Sequence, residues 1–491
     1  MTEHVDVVVV GAGISGIGQG YHLQTRCPDR SYVILEGRAA LGGTWDLFRY
    51  PGIRSDSDMH TLGFAFHPWT GDKAIADGES IRAYIEETAR TYGVDRHIRF
   101  GHRVTHAAWS TEEARWTVEA TGPDGAPRIF TCNFLCLCAG YYDYAKGYSP
   151  AFADAERFAG TIVHPQLWPA DLDYAGKRVV VIGSGATAVT LVPELARTAA
   201  HVTMLQRSPT YVVSRPAEDR IANWLRARLP GKAAYGLTRW KNILTSMAFY
   251  RLARSRPEQF KARLIGMVRG HLGADYDVAT HFTPRYNPWD QRLCLVPDAD
   301  LFASIRLGKA SVVTGTIDRF TETGIRLTAG EELPADIIVT ATGLELQLLG
   351  DIRLSKDGAP IDVSKALQYK GMMFSDVPNL AYTFGYTNAS WTLKADLVAR
   401  YVCRVLNAMR RKGVRQATPR IGSDPIAPQP FADFSSGYIQ RALDHLPQQG
   451  DRRPWRLNQN YALDVMALRF GSVTDSMEFG NPVPAKVRSA A

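Results

Sequence analysis

Val7-Val8-Val9-Val10-Gly11-Ala12-Gly13-Ile14-Ser15-Gly16 stands near the start of this chain, an apolar run that ends in G-x-G-x-x-G. The same order returns as Val179-Val180-Val181-Ile182-Gly183-Ser184-Gly185-Ala186-Thr187-Ala188. Each stretch reads as a buried strand, a glycine turn and a helix. The first glycine permits the tight bend, the second lets backbone N–H groups approach a pyrophosphate, and the third small residue lets helix pack on strand. Two copies predict two bound dinucleotides and an α/β fold of two Rossmann-like domains.

A lone glycine fingerprint is a weak signal, so the residues that follow each copy decide its meaning. After the first, Ser31 to Leu35 reads as a strand ending in Glu36, an acid about 20 residues past the glycines, where a carboxylate accepts hydrogen bonds from a ribose. After the second, His201 to Leu205 ends in Gln206-Arg207-Ser208, with no acid at that place. A guanidinium and a hydroxyl suit a 2′-phosphate, which predicts NADPH rather than NADH. The plainer alternative for Arg207 is a solvated surface arginine, and the missing acid speaks against it.

Leu41-Gly42-Gly43-Thr44-Trp45 and then Arg49-Tyr50-Pro51-Gly52 follow the first site, and the G-G-T-W portion resembles the flavin-contacting loop of two-dinucleotide flavoproteins. Cys138-Ala139-Gly140 and Ala341-Thr342-Gly343 each close an apolar run with small residues that allow close backbone packing. Phe158-Ala159-Gly160-Thr161-Ile162-Val163-His164-Pro165-Gln166-Leu167-Trp168 fits F-x-G-x-x-x-H-x-x-x-W at every fixed position. On these residues the chain resembles the type I Baeyer–Villiger monooxygenases, within the class B flavoprotein monooxygenases. Pro288 to Cys294 and Ser390 to Asp396 resemble the subgroup that includes the mycobacterial ethionamide-activating enzyme.

The resemblance implies FAD and NADPH as cofactors, O2 as co-substrate, and oxygen insertion beside a ketone carbonyl through a C4a-peroxyflavin, giving an ester or lactone, with sulfoxidation as a side activity. Gly11, Gly13, Ser15, Gly16, Glu36, Gly43, Thr44, Trp45, Tyr50, Asp56 and Val104 are then expected around FAD. Gly183, Ser184, Gly185, Ala186, Thr187, Arg207, Ser208, Thr342 and Gly343 complete the cofactor set. Arg292 takes the position of the family's active-site arginine, and Asp56 that of the carboxylate orienting it. Arginine suits the task because it stays charged at any working pH. Phe158, Gly160, His164 and Trp168 are expected to couple the two domains without acid–base chemistry. Trp289, Trp391 and Phe384 suggest an apolar substrate lining. The alternatives are an N- or S-oxygenating flavin monooxygenase acting on soft nucleophiles, and a non-catalytic sensor of nicotinamide redox state.

Composition fits a soluble enzyme of several domains: 491 residues, 45% hydrophobic and 22% charged. The six cysteines include no C-x-x-C pair, which argues against a dithiol reductase, and neither they nor the histidines suggest a metal. No leader-like segment precedes the first strand, so a cytoplasmic location is expected. Residues 1–145 should begin the FAD domain, 146–335 form an inserted NADPH domain, and 336–491 return to complete the first. Within the insert, 216–285 shows helical spacing at Trp224, Leu225 and Leu229 and at Trp240, Ile243, Leu244 and Met247. This stretch is strongly basic and supplies much of the net charge of +8. Such a run is usually the solvated face of packed helices, and although basic amphipathic helices also lie on anionic membranes, a peripheral membrane contact is not the favoured reading. The partners expected are a small ketone or sulfide and O2, with no nucleic acid; oligomeric state is not written in the sequence.

Overall fold

The computed structural model describes residues 2–291, 293–431 and 436–482. Strand β1 (Thr2–Val10) enters the first glycine turn, α1 (Ile14–Arg26) leaves it, and β2 (Tyr32–Leu35) lies parallel to β1. On the other flank β3 (Pro127–Leu137) is also parallel to β1, with Val10 opposite Leu137. Val7, Val8 and Val9 are all fully buried. A central parallel strand is covered on both faces, so it reads as a continuous apolar run without alternation.

Strands Arg103–Ser110 and Arg115–Thr121 form an antiparallel meander against the first half of β3, and Leu380–Tyr382 pairs in parallel with its second half. A late segment of the chain thereby completes the sheet that its first residues begin.

The second sheet repeats the plan. Strand β4 (Arg178–Ile182), helix α2 (Ala186–Leu195) and strand β5 (His201–Gln206) surround the second glycine turn, and Ala310–Thr314 extends the sheet beyond β5. On the opposite flank β6 (Ile337–Thr340) and then Thr161–Val163 complete five parallel strands. The registers match: Val10 faces Leu35 in the first sheet, and Ile182 faces Leu205 in the second.

Strand β6 corrects the expected boundary at 336. Its hydrogen-bond partners are β4 and Thr161–Val163, so the change of sheet falls after it. The return runs through Leu344–Leu346, which pairs antiparallel with the outward crossing Tyr142–Gly147, a strand that straddles the other expected boundary. The two crossings therefore lie side by side.

Within the basic stretch, α3 (Arg220–Arg226), α4 (Gly231–Ser255), Pro257–Leu272 and Val278–Phe282 are helical. Asp219 caps α3, its carboxylate accepting from the Ile221 and Ala222 N–H groups. Arg239 is buried on α4 and donates to the carbonyls of His60 and Gly63, each at 2.7 Å. That anchors α4 to the short helical turn Met59–Leu62, which follows Asp56.

Candidate cofactor and active-site cavity

At the first turn Gly11 has φ of +101°, and a Cβ there would meet the Cys138 carbonyl oxygen at 2.6 Å. Gly183 repeats this at the second turn, with φ of +135° and the Ala341 carbonyl oxygen at 2.3 Å. The small residues ending β3 and β6 are thus the surfaces against which the two turns close.

Helix α1 begins after Gly13 and α2 after Gly185; neither has a side-chain cap or an acid in its first turn. Their first N–H groups have no intrahelical partners and carry the positive end of the helix dipole, a natural seat for a pyrophosphate. A Cβ on Gly185 would meet nothing within 4 Å. The floor is open where a phosphate would lie.

Glu36 is buried and accepts from the Ala12 N–H at 2.7 Å and the Arg38 N–H at 2.9 Å. Burial pushes its carboxyl up, while those two donors and Arg38 oppose the shift. Gln206 stands at the equivalent place at the end of β5, its amide donating to the His281 carbonyl at 2.8 Å and to Thr314 Oγ1 at 2.9 Å. No carboxylate therefore repels a phosphate there, and the exposed Arg207 and Ser208 border the same space. Arg207→Ala is expected to weaken NADPH by tenfold or more, the loss of a charge-assisted contact of roughly 1.5–3 kcal/mol. NADH should be almost unaffected. Steady-state KM values for both cofactors check this, and equal losses would make Arg207 structural.

One cavity of about 1070 Å³ runs between the two turns. Among the described residues, every cofactor residue expected from sequence lines it except Gly16. Gly16 instead packs beneath the turn, where a Cβ would overlap the Gly11 carbonyl oxygen.

Tyr50 reaches across the cavity to hydrogen-bond Thr187, and burial pushes its hydroxyl up to about 12. Next to it, Gly52 is wedged on α2, where a Cβ would lie 2.9 Å from that of Glu194. Asp56 borders the cavity and so does Gln291, whereas the expected catalytic Arg292 lies outside the described residues.

Of the aromatic residues, Trp391 lines the cavity, donating from Nε1 to Ser15 Oγ at 2.7 Å and stacking on Tyr141 at 4.9 Å. Phe384 packs behind Trp391 and is not part of the lining. Trp289 also lies off the wall, edge-on to Tyr250 with rings 5.4 Å apart. Sequence reading missed Tyr141 and Tyr144, which line the cavity on the outward crossing, and Tyr386. The signal was present as Tyr141-Tyr142-Asp143-Tyr144, directly after Cys138-Ala139-Gly140. In the Ser390 to Asp396 stretch, Lys394 is held instead in a buried ion pair with Asp464 at 2.8 Å, and Asp396 in a buried hydrogen bond with His22 Nε2 at 2.7 Å.

None of the F-x-G-x-x-x-H-x-x-x-W residues borders the cavity. Phe158 is buried against Phe320, and a Cβ on Gly160 would strike the Asp336 carbonyl oxygen at 2.3 Å. His164 Nδ1 accepts from the Gln166 N–H at 3.2 Å, which leaves Nε2–H to donate to the Gly343 carbonyl at 3.2 Å. Its ring also fills the space beside Gly147, so this one side chain touches both crossings. Trp168 sits edge-on to Tyr174 at 6.3 Å.

Burial lowers the His164 pKa. The unfolded chain takes up a proton near pH 6.5 that the folded ring refuses, so stability is full above that pH and declines as pH falls below it. His22, His60, His67 and His281 shift in the same direction, chiefly through burial. Urea unfolding of His164→Asn should therefore show a shallower loss of stability on acidification, one part of a shared slope. An unchanged slope would mean that His164 is already free to protonate.

None of the described cysteines forms a disulfide, and no cluster of three His, Cys, Asp or Glu among the described residues could hold a metal ion. No helix among the described residues is long and apolar enough to cross a membrane.

Residues 9–72 match the model of the NAD(P)-binding Rossmann-like domain, and residues 72–412 that of the flavin-binding monooxygenase-like family. The FAD-containing monooxygenase EthA of Mycobacterium tuberculosis is 58% identical over 477 residues, 97% of each chain. A probable FAD-binding monooxygenase, AlmA of Acinetobacter baylyi, is 47% identical over 479 residues, 97% of this chain and 96% of that one. Among solved structures, oxidised steroid monooxygenase bound to NADP has a TM-score of 0.76 at 22% identity, covering 97% of this chain and 100% of its own. Cyclohexanone monooxygenase bound to ε-caprolactone has a TM-score of 0.74 at 20% identity, covering 98% and 100%; at such identity the likeness is one of fold. The family model spans most of the chain and its relatives match it almost end to end, and on that footing the chain belongs to the flavin-binding monooxygenases.

Proposed function

We propose that the protein is an FAD- and NADPH-dependent monooxygenase of the Baeyer–Villiger type, converting ketones to esters or lactones with sulfoxidation as a side activity. The observation that carries this reading is that two uncapped helix N-termini, those of α1 and α2, open into one cavity. Two dinucleotides seated on them would meet inside it. FAD, reduced by NADPH, supplies the chemistry that activates O2, and the overall balance is ketone, O2, NADPH and H⁺ to ester, NADP⁺ and water.

The chain's own residues bind, orient and exclude water. Glu36 and the Gly11 to Gly16 turn hold the adenosine half of FAD, and Arg207 with Ser208 holds the NADPH 2′-phosphate. Arg292 supplies a fixed positive charge where negative charge develops on oxygen, and Asp56 orients it. Tyr50, bonded to Thr187, and His164, in contact with both crossings, keep the modules in register.

The Baeyer–Villiger assignment draws support from the fingerprint at Phe158 to Trp168 and from the shared fold of cyclohexanone monooxygenase, whose structures hold cyclohexanone and ε-caprolactone, a ketone and a lactone. The test is product analysis with a cyclic ketone and an organic sulfide offered separately. Lactone from the ketone supports the reading. Sulfoxide with no lactone would move the protein to the heteroatom-oxygenating class.

A further inference from the structure

Helix α4 carries Leu237, Trp240 and Leu244 at i, i+3 and i+7, exposed by 54, 48 and 58%. The segment Tyr461–Asp464 and Val465–Phe470 repeats the spacing with Leu463, Met466 and Phe470, exposed by 41, 62 and 64%. The stripes join where the Trp240 and Tyr461 rings lie 6.0 Å apart. Helix α3 adds the exposed Ile221 and Trp224, with the Arg228 guanidinium 4.6 Å above the indole. Single exposed apolar side chains are ordinary on a soluble protein, whereas aligned stripes on neighbouring elements mark an interaction surface.

Charge identifies what that surface meets. From Arg220 through Arg256 the chain has nine Lys or Arg and no Asp or Glu. Asp72, Asp219 and Asp290 pair with Arg226, Lys241 and Arg254, and Arg239 is spent on buried carbonyls. Arg228, Lys232 and Arg251 form no ion pair among the described residues. A second copy docked through a two-fold axis would set one basic face against another. An anionic bilayer satisfies both features, with apolar side chains at the acyl boundary, tryptophans in the interface and cations at the headgroups.

The inner side of α4 adds a functional reason. Ile243 and Met247 pack against Tyr386 and Ala389, and those two residues line the cavity. One layer of side chains separates the exposed stripe from the cavity.

We propose that α3, α4 and residues 461–470 form a docking face for an anionic lipid bilayer, which sets the cavity against a reservoir of apolar substrate. The test is co-sedimentation of the FAD-loaded protein with phosphatidylcholine vesicles, with and without phosphatidylglycerol. The protein should pellet with the anionic vesicles and be released by salt. The triple variants Leu237→Gln/Trp240→Gln/Leu244→Gln and Arg228→Gln/Lys232→Gln/Arg251→Gln should each weaken partitioning by about tenfold or more. Both should keep FAD and turn over a water-soluble ketone like the parent. Failure to pellet, or equal pelleting with neutral vesicles, would overturn the proposal. So would a lipid-free dimer that the apolar triple variant dissolves, since a second copy would then cover the face.

Discussion

Arg292→Ala should keep its FAD and still be reduced by NADPH, yet lose ketone oxygenation by ~10²–10³, the usual cost of removing one preorganised charge-stabilising contact. Hydride transfer needs only that the two cofactors be held together, the task proposed for the two glycine turns and Arg207. Oxygen transfer needs a cation where negative charge develops, and arginine stays charged at any working pH. The electrons taken from NADPH should then appear as hydrogen peroxide rather than as ester. Asp56→Ala should give a milder form of the same defect, because the cation remains but its orienting partner is gone. Stopped-flow flavin absorbance, anaerobic and then aerobic, separates the two half-reactions, with ester and peroxide measured in parallel. Wild-type oxygenation by Arg292→Ala would remove this residue from the mechanism.

The second large effect divides the two nucleotide sites. In Gly11→Ala the new methyl would lie 2.6 Å from the Cys138 carbonyl oxygen, and in Gly183→Ala 2.3 Å from that of Ala341. Both positions also have a positive φ that costs a non-glycine residue about 1–3 kcal/mol. Neither obstacle is a flexible side chain, so the turn must part from its neighbouring strand. Gly11→Ala should emerge from gel filtration colourless. Gly183→Ala should stay yellow and accept electrons from dithionite but not from NADPH. Loss of FAD from Gly183→Ala, with Gly11→Ala staying yellow but refusing electrons from NADPH, would reverse the assignment of the two turns.

Much of this architecture is legible in the sequence because parallel strands buried on both faces leave continuous apolar runs, and because only glycine fits the first position of each turn. The acid Glu36 and the Gln206 that stands in its place after the second turn fall in equivalent register, so a count along the chain finds both. Sheet membership is harder. Small residues end β3 and β6 alike, since each backs a glycine turn, and nothing local says that Ile337–Thr340 belongs with β4. Helical spacing predicts α4 but not its faces: Ile243 is buried, while Trp240 and Leu244 of the same apolar set stay exposed. Size and proximity to motifs point to Trp289 and Phe384, yet these side chains pack away from or behind the cavity wall. Tyr141 and Tyr144 reach it because the crossing between sheets folds along its wall, a fact of tertiary structure with no sequence period.

The most direct test of the central claim is turnover of a cyclic ketone under isotopically labelled O2, with NADPH consumption followed in the same vessel. The account predicts a lactone carrying one labelled oxygen atom for each NADPH oxidised. NADPH oxidation that yields only labelled hydrogen peroxide, with the ketone recovered unchanged, would contradict it.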